Sequence, residues 1–110
     1  MTIVPYMLPS HPATVLEYLD PVGRSPYADW FDRLNAQAAA KVVVAVARLT
    51  QGNFSNVKAV GGGVMEYKID FGPGYRIYFE KDGDRLVILL GGGMGVAGTL
   101  ALRKIIAGFL

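Results

Sequence analysis

Four side chains in one short stretch are close enough in sequence type and spacing to act together. In EYKIDFGPGYRIYF, residues 66–79, Lys68, Asp70, Arg76 and Tyr78 occupy alternate positions of two β-type runs flanking Gly72-Pro73-Gly74. Alternation places them on one face, with Tyr67, Ile69, Phe71, Tyr75, Ile77 and Phe79 on the other. A buried arginine is costly unless it is paired. Arg76 therefore either has a structural partner or belongs to a working surface.

The register expected from the apolar faces sets Phe71 opposite Tyr75, Ile69 opposite Ile77 and Tyr67 opposite Phe79, because a one-residue slip would mix the faces. Arg76 then lies across from Asp70, Tyr78 across from Lys68, and Glu66 unfavourably across from Glu80. A cross-strand Asp70–Arg76 ion pair in this setting contributes a few tenths to about 1 kcal/mol. Asp82-Gly83 reads as a two-residue hairpin loop. It pairs Phe79 with Leu86, Ile77 with Ile88 and Glu80 with Arg85, and brings Val87 and Leu89 beside Arg76. Residues 64–90 thus form an antiparallel meander with 75–80 as its middle strand.

Two helices precede the meander. Ser25-Pro26 is an N-cap followed by proline at the first helical position. Tyr27, Trp30, Phe31 and Leu34 then recur at the spacing of one apolar helix face. Residues 35–53, NAQAAAKVVVAVARLTQGN, form a slim Ala- and Val-rich helix suited to lying close on a sheet, opened by Asn35 or Ala36 and ended by Gly52-Asn53. TVLEYLD, residues 14–20, is a first strand. Residues 54–63 read as loop, and glycines 91, 92, 93, 95 and 98 discourage regular structure after the last strand.

The whole chain of 110 residues is expected to be one domain, with residues 1–13 as a Pro-rich arm and 94–110 as an atypical Gly-rich, apolar tail. Apolar residues make up 52% and charged residues 18%, enough apolar content for a core. The lack of cysteine excludes a disulfide framework and a thiolate metal site, and a lone histidine, His11 in a Pro-flanked stretch, argues against a His-based metal site or a Ser-His-Asp triad. No metal or cofactor is expected. A net charge of +2 permits an anionic partner without a dense basic block to demand one. No apolar run reaches the roughly 20 residues of a membrane span, and no signal peptide is apparent, so a cytoplasmic, non-membrane protein is expected. GGGV and GGGMGVAG lack the Gly-Lys-Ser/Thr ending of a phosphate loop and any surrounding βαβ unit, and they read as flexible loops.

The order strand, helix, helix, meander meets specific phrases. YLDPVGRSPYADWFDRL, ARLTQGNFSNVKAVGGGVMEYKIDFGPGYRIYF and GDRLVILLGGG resemble the RelE/ParE toxin superfamily, and more closely its HigB-like addiction module killer group, over roughly residues 14–93. The resemblance implies an α+β fold: a small antiparallel sheet in β-α-α-β-β-β order with two helices packed on one face. It implies the toxin of a type II toxin–antitoxin system, with an antitoxin partner, often of helix-turn-helix type. Many such toxins are metal-independent endoribonucleases that cut mRNA on the ribosome, and a related branch poisons DNA gyrase. Attack of a 2′-hydroxyl on the adjacent phosphate requires a base, a cation for the phosphorane charge and an acid for the leaving oxygen.

By this resemblance Arg76 matches the phosphate-stabilising arginine, Lys68 matches a strand lysine, and Tyr78 is an aromatic neighbour for a stacked base or a proton donor. Lys58, Arg103 and Lys104 are the further RNA-binding candidates. Asp70 departs from the pattern, standing near a position that is lysine in RelE itself. The tail departs further: MGVAGTLALRKIIAGFL replaces a Lys/Arg-rich stretch and a polar helix. Two classes of function therefore remain open. One is an mRNA interferase using Arg76, Lys68 and Tyr78. The other is a non-nuclease, either a gyrase poison or a weakened toxin that still binds its antitoxin. The apolar tail is also a candidate surface for homo-oligomer formation.

Overall fold

The computed structural model describes residues 13–93. The arm before Ala13 and the tail from Met94, with Arg103, Lys104 and the expected self-association surface, lie outside the described residues. The elements are β1 (Thr14–Glu17), α1 (Pro26–Asp32), α2 (Ala36–Thr50), β2 (Val57–Gly61), β3 (Val64–Ile69), β4 (Tyr75–Asp82) and β5 (Arg85–Gly93). The strands form one sheet in the order β1-β5-β4-β3-β2. β1 runs parallel to β5 at one edge, and the other pairings are antiparallel. This is the expected α+β fold with two corrections. The sheet has a fifth strand, β2, and one of its edges is parallel.

Both helices start where the caps predict. The Ser25 hydroxyl accepts from the Ala28 N–H at 3.0 Å and itself donates to Glu17 at 2.7 Å, tying the start of α1 to β1. Asn35 caps α2 through the Ala38 N–H at 2.8 Å. The valine run of α2 is divided by the helix period: Val42 faces inward with Ala38, Ala45 and Leu49, while Val43 and Val44 are exposed. Trp30, Val42, Ala45 and Leu49 pack on Tyr67, Ile69, Ile77, Phe79, Leu86 and Ile88, so both helices cover one face of the sheet.

β2 is an edge strand, exposed along nearly all its length. It shows no apolar alternation, which is why its residues read as loop, and it carries a lysine as edge strands commonly do. Gly61, Gly62 and Gly63 all have positive φ and turn the chain into β3.

Both meander registers start displaced by two residues from those expected, which keeps each face and changes each partner until an irregularity in β5 alters the faces beyond it. Between β3 and β4, Ile69 pairs with Tyr75, Lys68 with Arg76, Tyr67 with Ile77 and Glu66 with Tyr78. Asp70 and Phe71 leave the ladder because residues 71–74 close their own turn, with the Gly74 N–H donating to the Phe71 carbonyl at 2.9 Å and Gly72 and Gly74 at positive φ. Pro73 has no N–H with which to extend the ladder. Phe71 instead stacks on Tyr75, with ring centroids 6.4 Å apart.

Between β4 and β5 the loop is Gly83-Asp84, closed by Asp82 opposite Arg85 and by their 2.6 Å ion pair, not the expected Asp82-Gly83. Phe79 pairs with Ile88, and an irregularity at Leu89 then shifts the register, so that Ile77 meets Gly91 and Arg76 meets Gly92. β5 thus continues through Gly91, Gly92 and Gly93, although glycine disfavours a strand.

Gly91 carries that continuation. A Cβ built there would stand 2.0 Å from Trp30 Cε3 and 2.2 Å from Cζ3, so the indole rests directly on the strand backbone. Gly91→Ala is expected to cost about 1–3 kcal/mol by overpacking. Urea denaturation measures this, and pairing the change with Trp30→Phe should recover part of the loss by shortening the ring.

Tyr27, beside Trp30 on α1, has its hydroxyl pKa raised from 10.0 to about 12, first by burial and then by the charge of Glu17. The folded state therefore holds this proton more tightly than the unfolded chain. Its contribution is present below pH 10 and is lost as pH rises toward 12. In Tyr27→Phe the alkaline decline of the melting temperature should be shallower across that window.

Candidate functional site

The face turned away from the helices carries the polar cluster. One cross-strand row runs Lys58, Glu66, Tyr78, Leu90 from β2 to β5, and the next runs Lys68, Arg76, Gly92. Only part of this face meets solvent. Val64, Tyr78, Leu89 and Leu90 form a second buried cluster there, flanked by Tyr18 and Val87. Lys58 and Lys68 are exposed, and Arg76 is intermediate.

The partner of Arg76 is Glu66. Arg76 Nε lies 3.4 Å from Glu66 Oε1, and Lys58 Nζ approaches the same oxygen at 3.6 Å. The expected Asp70–Arg76 pair is replaced because Asp70 has left the ladder for the turn, while the shifted register sets Glu66 diagonally beside Arg76. The same shift removes the expected clash of Glu66 with Glu80, which now faces Val64. Asp70 instead meets Lys68 at 3.5 Å, both side chains being largely exposed.

Glu66 is the residue that strand alternation singled out only as a liability. Its side chain is 9% exposed, and a carboxylate so placed must be fully satisfied. Two cations and the Tyr78 hydroxyl, which donates to it, do this. Tyr78 has its pKa raised by burial, then by the charge of Glu66 and the hydrogen bond to it, with Arg76 opposing. Its phenol therefore stays protonated and serves as a donor. With the ring buried, Tyr78 offers no face for stacking a base and acts below the surface.

The accessible part is an open pocket of about 300 Å³ bounded by Lys68, Asp70, the Phe71–Gly74 turn and Arg76. The ion pair to Glu66 runs through Nε, and Arg76 also lines the pocket, where a guanidinium's planar fork of donors suits phosphate oxygens. The Lys68–Asp70 pair is exposed and weak, so the ammonium is readily drawn to another anion. Of the sequence candidates, Arg76 and Lys68 share the pocket, Tyr78 supports Arg76 through Glu66, and Lys58 lies one row away on the same carboxylate. Arg103 and Lys104 lie outside the described residues. Glu66 is the addition. A register that placed it diagonal to Arg76 would have revealed it.

Coupling through Glu66 is testable. Glu66→Gln and Tyr78→Phe should each lower unfolding stability by about 1–2 kcal/mol. The double variant should lose less than the sum, with a coupling of about 1 kcal/mol in a denaturation cycle.

No family model matches the chain. An uncharacterized protein of Haemophilus influenzae is 43% identical to it over 68 residues, which are 61% of this chain and 69% of that protein. Among solved structures, a chain of the toxin–antitoxin complex RelBE2 from Mycobacterium tuberculosis superposes with a TM-score of 0.53. It shares 16% identity, and the match covers 80% of this chain and 98% of that one. By that likeness the fold is RelE-like. The chain belongs to the family of the Haemophilus influenzae protein and has the fold of a RelE-like toxin.

Proposed function

We propose that this chain is the toxin of a type II toxin–antitoxin pair, HigB-like in kind, and that it cuts mRNA on the ribosome. The observation that carries this reading is Arg76: a guanidinium paired through Nε with a buried carboxylate and lining a pocket that it shares with a displaceable lysine. In the reaction the 2′-oxygen attacks the adjacent phosphorus and the bond to the 5′-oxygen breaks. The products are a 2′,3′-cyclic phosphate and a 5′-hydroxyl.

Arg76 meets the charge of the phosphorane, which a preorganised cation does without reorganising. Lys68 donates to the departing 5′-oxygen. Asp70, the carboxylate lining the same pocket, accepts the 2′-hydroxyl proton. Tyr78 and Glu66 are positioning residues. The partner is a separate antitoxin, in keeping with the structural neighbour's origin in a toxin–antitoxin complex, and the sequence resemblance favours a helix-turn-helix type. The protein works in the cytoplasm, where its target is.

Primer extension on translating ribosomes tests the reading. Folded wild-type protein should produce cuts within codons, and Arg76→Ala should reduce them by roughly a hundredfold to a thousandfold while remaining folded. If folded wild-type protein makes no cuts, the non-nuclease reading takes its place, as a gyrase poison or an inactive toxin.

A further inference from the structure

A second pocket, of about 220 Å³, lies between α2 and β3, and Lys41, Arg48, Asn56 and Tyr67 contribute to its walls. It shares Lys68 and Asp70 with the pocket at Arg76. The two depressions are therefore contiguous across one pair of residues, and together they carry four cations, Lys41, Arg48, Lys68 and Arg76, against the single carboxylate of Asp70.

Lys41 and Arg48 are seven residues apart on α2, so they stand on the same side of the helix, two turns apart. Arg48 lies in the last turn, where helix carbonyls already favour a cation. Lys41 sits in the body of the helix, beyond the reach of that effect, and its ammonium lies 5.4 Å from the Phe71 ring centroid in the same turn that walls the first pocket. Neither side chain forms an ion pair among the described residues. Asn56 adds a neutral polar group beside them.

We infer that this second pocket is a phosphate-backbone subsite, in which Lys41 and Arg48 hold the RNA strand as it leaves the cleavage pocket over the Lys68–Asp70 margin toward α2. The inference rests on reading the Arg76 pocket as an RNA site. It adds that the strand runs around the edge of the sheet onto the helix layer. Asp70 stands at the crossing point, where its charge opposes the passing phosphates.

The test is fluorescence anisotropy with single-stranded RNA made uncleavable by 2′-O-methylation, in a short form of about four nucleotides and a longer form of about twelve, over a range of salt concentrations. The proteins are wild type, Lys41→Gln/Arg48→Gln, Asp70→Asn and Arg76→Gln. The double variant should bind the short RNA like wild type. It should lose about tenfold on the longer RNA, and its log–log salt slope should be shallower by about 1.4, the value for two single-strand phosphate contacts. Asp70→Asn should tighten the longer RNA. Equal binding of the longer RNA by wild type and the double variant, with loss in Arg76→Gln, overturns the subsite and leaves the cleavage reading standing. Equal loss on both lengths also overturns it, since the contact would then be part of the first pocket. Failure of wild type to bind either RNA overturns the subsite, and primer extension then decides the cleavage reading by itself.

Discussion

The seating of the Trp30 indole on the backbone of Gly91 is the contact around which this fold is arranged. It needs a strand position without a side chain, on the face that meets the helices. The shift at Leu89 supplies one. Ile88 faces the helices opposite Phe79, and without the extra residue the next inward position would be Leu90. With it, Gly91 comes inward opposite Ile77, and Leu89 and Leu90 fall to the other cluster. The same displacement sets Gly92 beside Arg76, so no side chain from β5 crowds the guanidinium. One aromatic ring on one side of the sheet thereby sets the space around a cation on the other.

The polar face then divides by burial into a fixed part and a movable part. Glu66 is sequestered and must hold its partners closely, because losing either cation or the phenol would leave a buried charge unsatisfied. That necessity orients Arg76. Lys68 and Asp70 stand in solvent, where the attraction between them is screened and small. A site that meets an anion with one held charge and one mobile charge spends little reorganisation on the first and keeps adaptability in the second.

Much of this was legible from residue types. Ser25-Pro26 and Asn35 marked both helix starts because caps are local, and the alternation of residues 64–79 assigned every side chain to its proper face. Partner identity was not legible, for a physical reason. Strand side chains repeat every two residues, so a two-residue slip leaves the burial pattern unchanged and periodicity cannot detect it. The choice fell to the turn, where Gly72, Pro73 and Gly74 close on Phe71 and take Asp70 out of the ladder. Arg76 was therefore on the expected face with the wrong carboxylate. β2 escaped notice because an exposed edge strand has no apolar face to repeat, and Gly91–Gly93 because glycine usually weakens a strand. Here the missing side chain at Gly91 is what the indole requires.

That degeneracy bears on the chemistry as well. Had β3 and β4 paired in the expected register, Asp70 would have been spent on Arg76, and the pocket would have held a neutralised pair. Ending the ladder at Ile69 gives Arg76 a buried anion that no ligand has to displace, and places Asp70 on the rim with Lys68. A phosphate entering the pocket then meets a guanidinium whose counter-charge lies behind it and an ammonium whose counter-charge lies beside it. The first geometry favours holding developing negative charge, and the second favours proton exchange at an exposed margin. Turn geometry at residues 70–74, more than the identity of the cations, separates these two roles.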